Sequence, residues 1–130
     1  MLDKRIWAAI AIMTFLNSRL DVQVIHRGYS LGPKHILNII IHQFIILMAI
    51  LGILFVDRSS IQAHLFLLSM CVLCWIWFKG CFMYHWQLNN IQYDEMDLKR
   101  IHGTPSNQFL NFMAIVVPGI IIDLYKLRAI

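Results

Sequence analysis

The stretch Ile36–Val56, ILNIIIHQFIILMAILGILFV, holds 21 residues and not one formal charge. As an α-helix it would be roughly 31 Å long, against a bilayer hydrocarbon core of about 30 Å. A helix apolar around its whole circumference belongs in lipid or deep inside a large protein. The chain has 130 residues, room for one domain, so a large soluble interior is excluded. Apolar residues make up 59% and mean hydropathy is +0.66, above the range of soluble domains. The reading is an all-α membrane protein, spanning residues 1–130 as a single membrane domain.

Working outward, Gly32-Pro33 precedes this block, with proline suited to a first helical turn. Asp57-Arg58 ends it at an interface. Ser59-Ser60 turns the chain, with Ser60 the expected N-cap of a helix over 61–86. That helix closes on Lys79 and then Tyr84, His85 and Trp86, a belt of aromatic rings with polar tips. So short a linker predicts a central antiparallel hairpin. Residues 87–108 form the main polar loop, in which Asn89-Asn90 would cap a short amphipathic helix ended by Gly103. Thr104-Pro105 is a cap and first turn for the last block, 109–125, which crosses only if Asp123, Tyr125 and Lys126 reach the far interface. Pro118-Gly119 within it predicts a kink.

The first block, 6–20, begins with 11 apolar residues, Ile6 to Leu16, and spans only if the helix extends to Arg19. Met1-Leu-Asp-Lys-Arg followed by this run resembles a signal-peptide start, but no small-x-small cleavage site follows, which favours an uncleaved anchor. The expectation is a helical bundle of three or four transmembrane helices. With four spans, Lys4, Arg5, Arg58, Lys126 and Arg128 share one side. Arg19, Arg27, Lys34, Lys99 and Arg100 share the other, with Lys79 near its edge, so charge gives no orientation. With the first block on the surface, Arg58, Lys126 and Arg128 stand alone on one side, and the Lys99 loop faces the cytoplasm. Hydropathy favours four spans and charge favours three.

Net charge is +4, but the cations stand singly or in pairs at block ends. That pattern suits anchoring at anionic headgroups and excludes nucleic acid, which would need a basic cluster with interleaved aromatics. The three cysteines lie in one apolar block, a poor disulfide framework.

Polar residues inside the apolar blocks mark candidate sites. Asn38 and His42 are four apart on one helical face, with Gln43 alongside. Lys79 and Asn111 are the partners expected by depth. This cluster reads either as interhelical hydrogen bonding that fixes register or as a proton or ion relay. In the third block His64, Cys71, Cys74, Cys81 and His85 share a stripe. His64 and His85 are 21 residues apart, about 31 Å along a helix, so no single metal collects the set. No metal or other cofactor is expected. Core packing is the simpler reading of the thiols.

Cys71-Val-Leu-Cys74 resembles the Cys-x-x-Cys of the vitamin K epoxide reductase group of membrane disulfide oxidoreductases, and implies Cys71 and Cys74 as a redox pair. A broader resemblance covers roughly residues 36–128. A helical hairpin ending in His85-Trp86-x-x-Asn89-Asn90 leads through Glu95 and Lys99-Arg100 to Gly103 and a final apolar helix. This is similar to small multi-span membrane proteins encoded by large DNA viruses of algae and protists, and implies a viral or virus-altered host membrane.

No nucleophile–base pair, phosphate-cradling glycine loop or complete metal set can be assembled, so the chain does not read as an enzyme. The expected role is structural or in assembly, within a larger membrane complex or a homo-oligomer in the bilayer. The rivals are an oligomeric ion or proton channel and a thiol–disulfide oxidoreductase.

Overall fold

The computed structural model describes residues 2–25, 33–78 and 105–130. Among them there are four α-helices and no strand: α1 Leu2–Leu20, α2 Pro33–Leu51, α3 Arg58–Phe78 and α4 Pro105–Ala129. Three segments are long and apolar enough to cross a membrane: Ile36–Leu54, Arg58–Trp77 and Phe109–Ala129.

Each boundary has a local cause. Pro33 and Pro105 open α2 and α4, where a missing N–H costs no helical hydrogen bond. The end of α2 tightens into a 3-10 turn, Gly52–Leu54, closed by the Phe55 N–H donating to the Gly52 carbonyl at 3.1 Å. Phe55 then adopts an extended backbone, φ −61° and ψ 141°, and the chain turns. The Asp57 carbonyl accepts the first bond of α3 from Ile61 N–H at 2.9 Å.

Several expected boundaries shift. The third helix begins at Arg58, so Ser60 lies inside its first turn rather than capping it. The last helix starts at Pro105 and runs through Pro118 to Ala129, longer than the expected 109–125. The first block is a 19-residue helix followed by a π-helical turn, Asp21–Ile25. Its buried face reads Asp3, Ile6, Ile10, Thr14 and Ser18, the three- and four-residue spacing of one helical stripe. The expected aromatic belt at Tyr84–Trp86 and the amphipathic helix in the polar loop lie outside the described residues.

α1 runs opposite to α2, since Asp3 meets Val56 and Asp57 while Asp21 meets Gln43. α3 likewise runs opposite to α4, with His64 against Asp123 at one level and Trp75 stacked on Phe112 at another, centroids 4.4 Å apart. Two apolar clusters form the core. One joins Ile6, Ile10, Leu47, Met48, Phe55 and Ile61, and the other joins Ala49, Leu68 and Val116. The outer surface is apolar too. Trp77 is 82% exposed, Ile76 69% and Phe66 68%. A water-soluble monomer rarely shows so much continuous apolar surface.

Candidate functional site

The most buried polar constellation joins three helices. His64 of α3 and Asp123 of α4 are both fully buried, with His64 Nδ1 2.6 Å from Asp123 Oδ2. The other ring nitrogen, Nε2, lies 3.0 Å from the Ala49 carbonyl oxygen of α2. A carbonyl can only accept, so Nε2 carries a proton. The contact to Asp123 then needs one more proton, on Nδ1 or on Oδ2. Either way the pair holds two protons and is neutral overall, which suits an interior where a net charge is costly.

Gly52 makes room for the ring, and Gly119 for the Leu68 side chain beside it. A Cβ on Gly52 would overlap the His64 imidazole, and one on Gly119 would stand 2.7 Å from Leu68 Cδ1 and 3.7 Å from His64 Cε1. The Phe55 ring meets His64 edge-on at 6.2 Å. Asp123 Oδ1 has no hydrogen-bond partner among the described residues, and neither do the buried hydroxyls of Thr14 and Ser18.

One turn beyond Asp123, Lys126 reaches across to the end of α2. Its Nζ donates to the carbonyls of Ile53 and of Phe55, the latter at 2.8 Å. These are carbonyls that the ending helix leaves without an N–H, and a cation there also opposes the negative end of the helix dipole. At the same level Asp3 accepts from Val56 N–H at 3.0 Å and from Asp57 N–H at 2.7 Å. Burial pushes the Asp3 carboxyl up, but these two N–H groups and the Ser60 hydroxyl outweigh it and hold it below the usual carboxylate range. Trp7 Nε1 donates to Ser60 Oγ at 3.1 Å, and its ring lies 4.9 Å from that of Phe55.

The residues singled out by sequence are placed differently. Asn38 is buried, His42 and Gln43 are half-buried, and Asn111 is exposed on α4. Gln43 donates its side-chain N–H to Asp21 of the π-helical turn. Lys79, Cys81 and His85 lie outside the described residues. Cys71 and Cys74 are half-buried on α3, and neither is in a disulfide. Among the described residues no group of three or more His, Cys, Asp or Glu side chains could hold a metal ion.

The sequence reading missed the pairing of His64 with Asp123. It placed His64 in a cysteine stripe and Asp123 at an interface. The available signal was the tight turn at residues 55–57, which sets position 64 opposite position 49. No family model matches this chain, and no curated protein or solved structure matches it either.

Proposed function

We propose that this chain is a small polytopic membrane protein with a structural or assembly role, working as a subunit of a larger membrane complex or of a viral membrane. In this reading α2 and α3 form a central antiparallel hairpin, and α4 completes a helical bundle. The observation that carries it is how the interior polar groups are used. The hydrogen bonds of His64, Asp123, Asp3, Trp7 and Lys126 given above run to other helices or to helix ends, while the flanks of the helices present apolar side chains. Polar groups spent this way fix helix register. An apolar exterior fits lipid and other membrane helices.

The test is purification in mild detergent followed by mass analysis. A defined homo-oligomer or a stoichiometric membrane-embedded partner is the expected result. A monodisperse monomer that conducts ions when reconstituted would overturn it. Hydrogen exchange in bilayers checks insertion separately, because Ile39–Leu54 should be strongly protected and fast exchange there would refute a spanning helix.

A second reading, an ion or proton pore, is favoured by one observation. Thr14 Oγ1, Ser18 Oγ and Asp123 Oδ1 are buried without partners among the described residues, as groups that meet internal water would be. pH-dependent conductance in liposomes, lost in Thr14→Val, is the result that reading requires.

A further inference from the structure

One end of the molecule is closed by three polar clamps between segments distant in sequence. There α1 and α3 begin and α4 ends, held through Asp3 to Val56 and Asp57, Trp7 to Ser60, and Lys126 to the end of α2. The clamps gather four exposed cations from three helices: Lys4 and Arg5 of α1, Arg58 of α3 and Arg128 of α4. The acids of this end do not neutralise them. Asp3 and Asp123 are buried, Asp3 on backbone N–H groups and Asp123 on His64, which leaves Asp57 as the exposed acid of the described chain here. None of the four cations forms an ion pair among the described residues.

We infer that this rim of four cations is a docking surface for the headgroups of anionic phospholipids. The surface just beneath the rim decides for lipid over a soluble acidic partner. Leu54, Leu124 and Tyr125 are all more than half exposed there, with Tyr125 at 74%. Cations above an apolar belt that includes an exposed tyrosine match the profile of a membrane interface, with phosphate above and acyl chains below. Long basic side chains can lay their stems on that belt and hold their charge at phosphate depth. The inference rests on the membrane reading above and adds to it a lipid class and a set of residues.

The test uses the full chain in nanodiscs made from phosphatidylcholine mixed with phosphatidylglycerol, with the lipid retained after detergent extraction measured by mass spectrometry. Phosphatidylglycerol should be enriched over its bulk share. The enrichment should fall about fivefold for each of Lys4, Arg5, Arg58 and Arg128 replaced by glutamine. Added salt should weaken it, because the cations are exposed. Lys34→Gln removes an exposed cation at the opposite end of α2 and should leave the enrichment unchanged. Equal retention of the two lipids by the wild-type chain would overturn the inference, as would an equal loss in Lys34→Gln. Displacement of the lipid by inorganic phosphate would show a small-anion site and overturn the lipid assignment, and displacement by an acidic peptide would do the same in favour of a protein partner. Failure to enter pure phosphatidylcholine nanodiscs would refute the membrane reading itself, a distinct outcome.

Discussion

Replacing His64 and Asp123 by leucine, singly and together, probes the buried pair most directly. The two single changes are not equivalent. In Asp123→Leu, His64 can remain neutral, keep its Nε2–H on the Ala49 carbonyl and leave Nδ1 as one unsatisfied acceptor. One orphaned buried group costs about 1–3 kcal/mol. In His64→Leu, Asp123 loses the one partner it has, because Oδ1 already lacks one among the described residues. A buried ionisable group stripped of its partner costs about 3–5 kcal/mol. The double leucine variant removes both polar groups and keeps a branched side chain of the same heavy-atom count at position 123, so it should cost no more than the milder single change. The cycle therefore predicts a coupling of at least about 3 kcal/mol, where independent sites add to within about 0.5 kcal/mol. Reversible unfolding in mixed micelles, followed by far-UV circular dichroism, measures all four corners. Additive single effects, or a larger cost for Asp123→Leu than for His64→Leu, would refute the proton bookkeeping assigned to this pair.

Gly52→Ala should destabilise by about 1–3 kcal/mol through overpacking against the imidazole, and His64→Ala should suppress that loss. The same unfolding assay reads both, and an undiminished cost of Gly52→Ala in the His64→Ala background would contradict the packing argument. Asp3 has a lowered folded pKa, so its contribution to stability is fully present above the unfolded value of about 3.9 and is lost as pH falls toward the folded value. Wild-type unfolding free energy should drop across that acid window, while Asp3→Asn should be less stable at neutral pH and flatter below it. Trp7→Phe removes the hydrogen bond to Ser60 and should cost about 0.5–1.5 kcal/mol in the same unfolding assay, whereas Ser60→Ala should cost more, because it also removes the hydroxyl's bond to Asp3, and equal costs would contradict this.

The helices were legible where one rule governs them. An uncharged run as long as a bilayer is thick gives α2 whatever surrounds it, and Pro105 marks the start of α4 by its missing donor. Ser60 was misread because capping preferences describe isolated helix ends. Here Asp3, brought in from another helix, takes the N–H groups of Val56 and Asp57, and Ser60 turns to Trp7 instead. α1 looked short because Asp3, Lys4, Arg5 and Arg19 interrupt its hydropathy, yet only Asp3 among them is buried. Asp123 was assigned to an interface because a lone acid ending an apolar run usually sits there. Its partner is 59 residues away, and no local periodicity reports a contact of that range. The two glycines were equally silent. Their meaning lies in the side chains that fill the space a Cβ would take, the His64 ring at Gly52 and Leu68 at Gly119.

In the membrane setting proposed above, helices would gain little from burying one apolar face against another, because lipid solvates such faces nearly as well. Uniqueness must then come from contacts that fail when the register slips. The His64 imidazole supplies one, since its two nitrogens bind groups on two different helices and its ring fits only over Gly52. Sliding α4 by one residue would carry Asp123 off Nδ1, and at the same time carry Lys126 off the carbonyls of Ile53 and Phe55. Asp3 imposes the same condition on α1, because the N–H groups it accepts lie in the turn between α2 and α3, where no helical partner can replace it. Asp3 and Lys126 thus fix α1 and α4 against the α2–α3 turn, and the His64–Asp123 pair fixes α4 against α3. Toward the other end of the α3–α4 pair, the contacts given among the described residues are through rings, with Trp75 on Phe109 and Phe112, and rings constrain register far less. The same asymmetry brings Lys4, Arg5, Arg58 and Arg128 together on one rim, so the device that sets the helix register also concentrates the surface charge.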